Sequence, residues 1–171
     1  MSYGHPLPHD AAHLHVTGAA RYVDDLPCPA NCLHLAFGLS SIASGQITDL
    51  SLDRVRAHEG VIAVLTADDV PFSNDVSPAA GDEPLLSEGR VHYIGQPIFL
   101  VIATSHLSAR KAARLAQVTY AEHEAILSID QALAANSRFE DGPRIYQKGD
   151  PSAAIAQATH KIQGEIVIGG Q

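Results

Sequence analysis

Histidine, cysteine and closely spaced acids are the residue types here that can bind a metal or move a proton. Four of the chain's ten histidines, His5, His9, His13 and His15, crowd its opening stretch. His9 and His13 stand four apart, a spacing that can place two imidazoles on one helical face as metal ligands. Pro6 and Pro8 disfavour a helix before residue 9, and the glutamate that a metal hydrolase sets between paired histidines is missing. The stretch 1–20 therefore reads as an extended arm lying on the surface. Cys28 and Cys32 flank Pro29, Ala30 and Asn31. Two thiols close neither a four-ligand zinc site nor a disulfide framework, so they read as ordinary thiols before a strand. Glu122, His123 and Glu124 have the types for a general acid/base set. Three consecutive polar residues at a strand end read better as a solvated turn, and Asp24 with Asp25, and Asp68 with Asp69, as caps or turns. No nucleophile elbow, phosphate-cradling glycine loop, dinucleotide fingerprint or zinc-protease helix occurs. Residue chemistry alone names no reaction.

The 171 residues are 46% hydrophobic, enough for one sizeable domain or two small ones with a real core. A net charge of −8 argues against a nucleic-acid or anionic-membrane surface, which needs clustered Lys and Arg. No apolar run approaches the roughly 20 residues of a spanning helix. The N-terminus lacks a basic region and an apolar signal core, so a cytoplasmic setting is expected.

The elements centre on 91–126. A turn at Ile94, Gly95, Gln96 and Pro97 opens onto 98–103, IFLVIA, an uninterrupted apolar run suited to a strand buried on both faces. Thr104 or Ser105 can cap a following helix, 105–116, whose Leu107, Ala112, Leu115 and Ala116 recur at helical spacing. Val118, Thr119 and Tyr120 return as a strand. A second strand-helix-strand unit spans 46–66, with Ser51 as cap, Leu52, Val55 and Ala57 inward, and Gly60 as stop. The expected fold class is α/β, the two units sharing one mixed sheet with helices 51–59 and 105–116 across it. Val64, Leu65, Phe99, Val101 and Leu115 should be among the most buried residues. In 33–38 the alternation places Leu33, Leu35 and Phe37 on one face of a strand. The stretch 71–90, with three prolines and four acids, is a long loop that covers something or contacts a partner, or else makes a mobile excursion. Ser128 should cap a short helix, and Asp150 with Pro151 should start another with Ile155 and Ala158 inward. The alternation of 160–168 predicts a strand, and an end just past it at Gly169, Gly170 and Gln171 reads as part of something longer.

Four segments together resemble the start of the molybdenum-cofactor-binding subunit of the xanthine dehydrogenase and aldehyde oxidase family. They are GHPLPHDAAHLHVTGAARYVDDLP, HEGVIAVLTADDVP, HYIGQPIFLVIATSHLSARKAARLAQVTYAEHEAIL and GEIVIGGQ, in that order and across nearly the whole chain. Bacterial xanthine dehydrogenases are the nearest branch in pattern. The resemblance implies an α/β hammerhead domain over 21–171 behind an N-terminal arm at 1–20, continuing into a larger part that wraps molybdopterin. It implies a parent enzyme that hydroxylates purines such as hypoxanthine and xanthine with oxygen from water. Electrons would pass through [2Fe-2S] clusters to FAD in a partner subunit or region. An aldehyde oxidase, or a stand-alone interaction domain of the same fold, is the alternative. The family's glutamate base and substrate-clamping arginine lie downstream of this stretch, so no turnover and no cofactor are expected of this piece alone. Expected partners are the remainder of the large subunit, the FAD and iron-sulfur subunit, and the purine or aldehyde. One family position maps here. Gln171 would hydrogen-bond an oxygen ligand of the metal, with Gly169 and Gly170 permitting close backbone approach.

Overall fold

The structure, a computed structural model, describes residues 4, 6–79, 81–138, 142 and 145–170. Among them six strands and five α-helices occur, and the chain divides into two compact units, residues 1–125 and 126–171.

In the first unit, β1 (His34–Leu39), β5 (Pro97–Ala103) and β3 (Val61–Leu65) form one sheet in the order β1-β5-β3. A second sheet has the order β4-β2-β6, from β4 (Arg90–Val91), β2 (Gly45–Ser51) and β6 (Gln117–Glu122). Both sheets are antiparallel throughout. The α/β class holds, but the single mixed sheet does not: each strand-helix-strand unit runs from one sheet into the other. For the first of these units the reason is length. Only residues 52–60 join β2 to β3, shorter than the dozen or more residues a parallel crossover requires.

Between the sheets' apolar faces lies one core. Leu52, Val55, Ile98, Phe99, Val101, Ala103, Ala109 and Ala112 are its buried centre, with Ile47, Leu50, Val118 and Tyr120 packed against it from the second sheet. Helix α3 (His106–Ala113) is capped by Ser105, whose hydroxyl accepts the Ser108 amide at 3.1 Å. It buries Ala109 and Ala112 and leaves Leu107 exposed, so its inward stripe is built of small residues. Helix α2 is only Asp53–Arg56. Ser51, expected as its cap, closes β2 instead, and Ala57 is exposed while Leu52 and Val55 are buried as expected. Phe99 and Val101 lie in the core, whereas Val64, Leu65 and Leu115 are half-buried because they sit at its margin.

The alternation of β1 has the expected period and an unexpected face. Leu33, Leu35, Phe37 and Leu39 are exposed, and Ala36 and Gly38 point inward. Small residues on that side let α3 approach β1 and let the Phe99 ring of β5 lie over Gly38. Leu35 pairs with Ile102 and that with Ala63, while Phe37 pairs with Leu100 and that with Leu65, so an apolar outer face runs across the sheet.

The arm is not extended throughout: α1 (Ala12–Thr17) begins once the chain has cleared Pro6 and Pro8, and ends at Gly18 with φ 72°. Val23–Asp25 and Ala67–Asp69 are single 3-10 turns. The second unit holds α4 (Ile129–Ala134), capped by Ser128, and α5 (Pro151–Gln157), capped by Asp150. Ile155 is exposed rather than inward, since α5 buries no residue. No strand forms over 160–168 among the described residues, and Ile162, Ile166 and Ile168 are exposed. Alternation alone does not make a strand: without a neighbour to pair its amides, the segment has nothing to stabilise it. No described helix is long and apolar enough to cross a membrane.

Candidate functional site

Gly169 and Gly170 lie in the irregular end of the second unit, exposed, and Gln171 falls outside the described residues. A Cβ added at either glycine would meet nothing within 4 Å. The close approach for which glycine is suited is therefore not made by any described part of this chain. Among the described residues no group of three His, Cys, Asp or Glu gathers as a metal site. No buried side-chain polar atom there lacks a hydrogen-bond partner either. Neither a ligand cluster nor an orphaned polar atom among the described residues marks a place for a bound group.

The other chemically able residues are dispersed. His9 precedes α1 and its Nδ1 accepts the Ala11 amide at 3.2 Å, while His13 and His15 lie within the helix, all three exposed. The ring centroids of His9 and His15 are 6.4 Å apart. The acidic pairs do the work of caps. Asp25 accepts the Tyr22 amide at 2.9 Å, and Asp69 accepts the Thr66 amide at 2.8 Å and its hydroxyl at 3.1 Å. The bond from the Thr66 amide, with that from its hydroxyl, holds the Asp69 carboxyl below the ordinary range. Glu122 ends β6, and the His123 amide donates to the Ser44 carbonyl at 2.9 Å; the three residues are solvated as expected, but the chain leaves the strand irregularly and not in a turn.

What the fold builds instead is a pair of clefts. The loop 71–90 has its own order: an antiparallel bridge joins Asp75 and Pro84, and the Asn74 side chain bonds the Leu86 carbonyl at 2.7 Å and amide at 3.0 Å. With Phe37, His92, Tyr93 and Gln96 it encloses a cleft of about 460 Å³. Loop side chains therefore line one wall of that cleft. Gln96 is 1% exposed, and its Oε1 accepts the His92 amide at 2.7 Å, locking the turn that feeds β5. Sequence reasoning saw that turn and missed this residue; a glutamine between Gly95 and Pro97 at the mouth of an apolar strand was the available signal. A second groove of about 460 Å³ is lined by Phe99, Tyr120, Arg110 and Arg114. Two guanidinium groups beside an apolar wall can hold and orient an anionic group.

Comparison with known proteins gives this architecture its context. The family described as "Aldehyde oxidase and xanthine dehydrogenase, a/b hammerhead domain" matches residues 17–124. Xanthine dehydrogenase 2 of Arabidopsis thaliana is 36% identical over 172 residues, covering 99% of this chain and 13% of that protein. Aldehyde oxidase 4 of Rattus norvegicus is 36% identical over 169 residues, covering 98% of this chain and 12% of that protein. In three dimensions the aldehyde oxidoreductase of Desulfovibrio gigas superposes with a TM-score of 0.75 at 29% identity, over 90% of this chain and 19% of that one. The chain thus spans about an eighth of the curated relatives it matches. It belongs to the aldehyde oxidase and xanthine dehydrogenase family, as an α/β hammerhead domain.

Proposed function

We propose that this chain is the scaffold domain of a xanthine dehydrogenase-type molybdenum hydroxylase whose full-length form oxidises purines such as hypoxanthine and xanthine. The observation that carries the reading is the family match across 17–124, which spans the elements of both sheets. The chemistry that a bound molybdenum–pterin group supplies is hydroxylation with oxygen from water, the electrons leaving through [2Fe-2S] clusters to FAD. That machinery belongs to the remainder of the large subunit and to an FAD and iron-sulfur subunit or region, in a cytoplasmic enzyme. Residues 1–20 serve as an arm, and 21–171 as the hammerhead proper. This chain would contribute position and one contact: the Gln171 side-chain amide would donate a hydrogen bond toward the metal centre, with Gly169 and Gly170 permitting close backbone approach. Aldehyde oxidation is the second reading, favoured by the equal 36% identity to an aldehyde oxidase.

Rapid mixing of the full-length, metal-replete protein with xanthine or with an aldehyde tests the assignment. Reduction by xanthine is expected; reduction by aldehyde alone moves the protein to the second reading, and reduction by neither overturns both. Gln171→Ala should slow the reductive step by about one to two orders of magnitude, the rate equivalent of a charge-assisted bond worth roughly 1.5–3 kcal/mol. Molybdenum content should be unchanged. An unaltered rate would make Gln171 a packing residue.

A further inference from the structure

The connection between the Val23–Asp25 turn and β1 carries the chain's two cysteines, Cys28 and Cys32, both exposed. The backbone between them folds back on itself: the Cys32 amide donates to the Pro29 carbonyl at 3.2 Å, closing a turn over Ala30 and Asn31. Asn31 takes φ 63°, the left-handed conformation that asparagine tolerates better than other side-chain-bearing residues. The two thiols therefore stand on either limb of one tight reversal rather than on opposite sides of a straight segment. Their proximity has an electrostatic signature. Hydrogen bonding to the Cys32 side chain, ahead of desolvation and of charge repulsion from that thiol, raises the Cys28 thiol above its ordinary range. Neither residue is in the core, and the Cys32 thiol donates only locally, to the Leu33 carbonyl at 3.7 Å.

We propose that Cys28 and Cys32 are a vicinal dithiol that closes reversibly to an intramolecular disulfide by exchange with a small-molecule disulfide of the glutathione type. In the first step one cysteine thiolate attacks the oxidant's S–S bond, forming a protein–glutathione mixed disulfide and releasing one glutathione thiolate. In the second, the other cysteine attacks the protein-bound sulfur, forming the Cys28–Cys32 bond and releasing the second thiolate. Two cysteine thiols are oxidised, one disulfide is reduced to two thiols, and the two cysteine protons end on glutathione. The turn makes the second step intramolecular, so a mixed disulfide does not accumulate. Closure fixes the residues that lead directly into β1 and its exposed leucine stripe. Such a bond in a reducing compartment is a transient, responsive one rather than a structural staple.

Trypsin leaves both cysteines on one peptide, residues 22–54, because no Lys or Arg falls between Arg21 and Arg54. The full-length protein is equilibrated with excess oxidised glutathione, quenched with an alkylating reagent, digested and weighed. The alkylatable fraction of both cysteines should fall together by about tenfold or more, the peptide should be two hydrogens lighter, and dithiothreitol should restore it. In Cys28→Ser and in Cys32→Ser the remaining cysteine should instead retain one glutathione as a stable adduct. Three results would overturn the proposal. They are a stable glutathione adduct on the wild-type peptide, full alkylation of both cysteines in excess oxidant, or a disulfide linking two chains.

Discussion

Gly38 and Phe99 meet across the β1–β5 pair, and there is no spare volume between them. A Cβ built on Gly38 falls within the Phe99 ring, which is itself 1% exposed. Phe99 belongs to the same buried cluster as Val101, Ala109 and Ala112, so moving the ring disturbs the core. Gly38→Ala should therefore destabilise the protein by about 1–3 kcal/mol through overpacking, seen as a lower denaturant midpoint. Shortening the ring in Gly38→Ala/Phe99→Leu should recover part of the loss. A pattern of apolar residues marks Phe99 as buried, but it does not say that a glycine must oppose it; that follows only from register. The candidate site has the same limit. The proposal for Gln171 rests on resemblance alone, and that residue lies outside the described ones. The closeness of Cys28 and Cys32 was hidden because three intervening residues can be extended or reversed, and Asn31 decides which.

At the scale of elements, what is local was readable. Ser105, Ser128 and Asp150 each cap the helix they precede, because a cap needs only its own residue and the next few amides. Sheet membership was not readable, since pairing β5 with β1 rather than with its sequence neighbour β6 depends on contacts far apart in the chain. The loop 71–90 shows a third case, order made by side chains in a stretch without periodicity. The Asp75 carboxylate accepts from the Ser77 amide at 3.0 Å, its hydroxyl at 3.1 Å and the Glu83 amide at 3.3 Å. The Ser77 amide bond, with its hydroxyl, holds the Asp75 carboxyl below the usual range despite exposure. The folded value is thus below that of an unfolded aspartate, about 3.9. The bonds stabilise the loop fully above that pH and are lost as pH falls through the depressed folded value. A carbon-detected NMR titration should find Asp75 titrating below the ordinary carboxylate range. Asp75→Ala should abolish the protection of the Ser77 and Glu83 amides from exchange while leaving the global unfolding midpoint nearly unmoved.

Across the whole first unit, the two sheets share a hidden symmetry of origin. The segment before the 71–90 loop supplies β1 and β3, the two edges of one sheet, and β2, the centre of the other; the segment after it supplies β5, the missing centre, and β4 and β6, the missing edges. Each half of the sequence is therefore a set of strands with the wrong neighbours, and neither can satisfy its own ladder. That makes the hammerhead a natural pair of complementing fragments. Severed within the loop, the halves 1–79 and 81–171 should each be largely unstructured by circular dichroism when alone. Mixed in equal amounts, they should regain strand signal and bind each other in a saturable titration. A half that folds unaided would show that one sheet can form without the strand running down its middle.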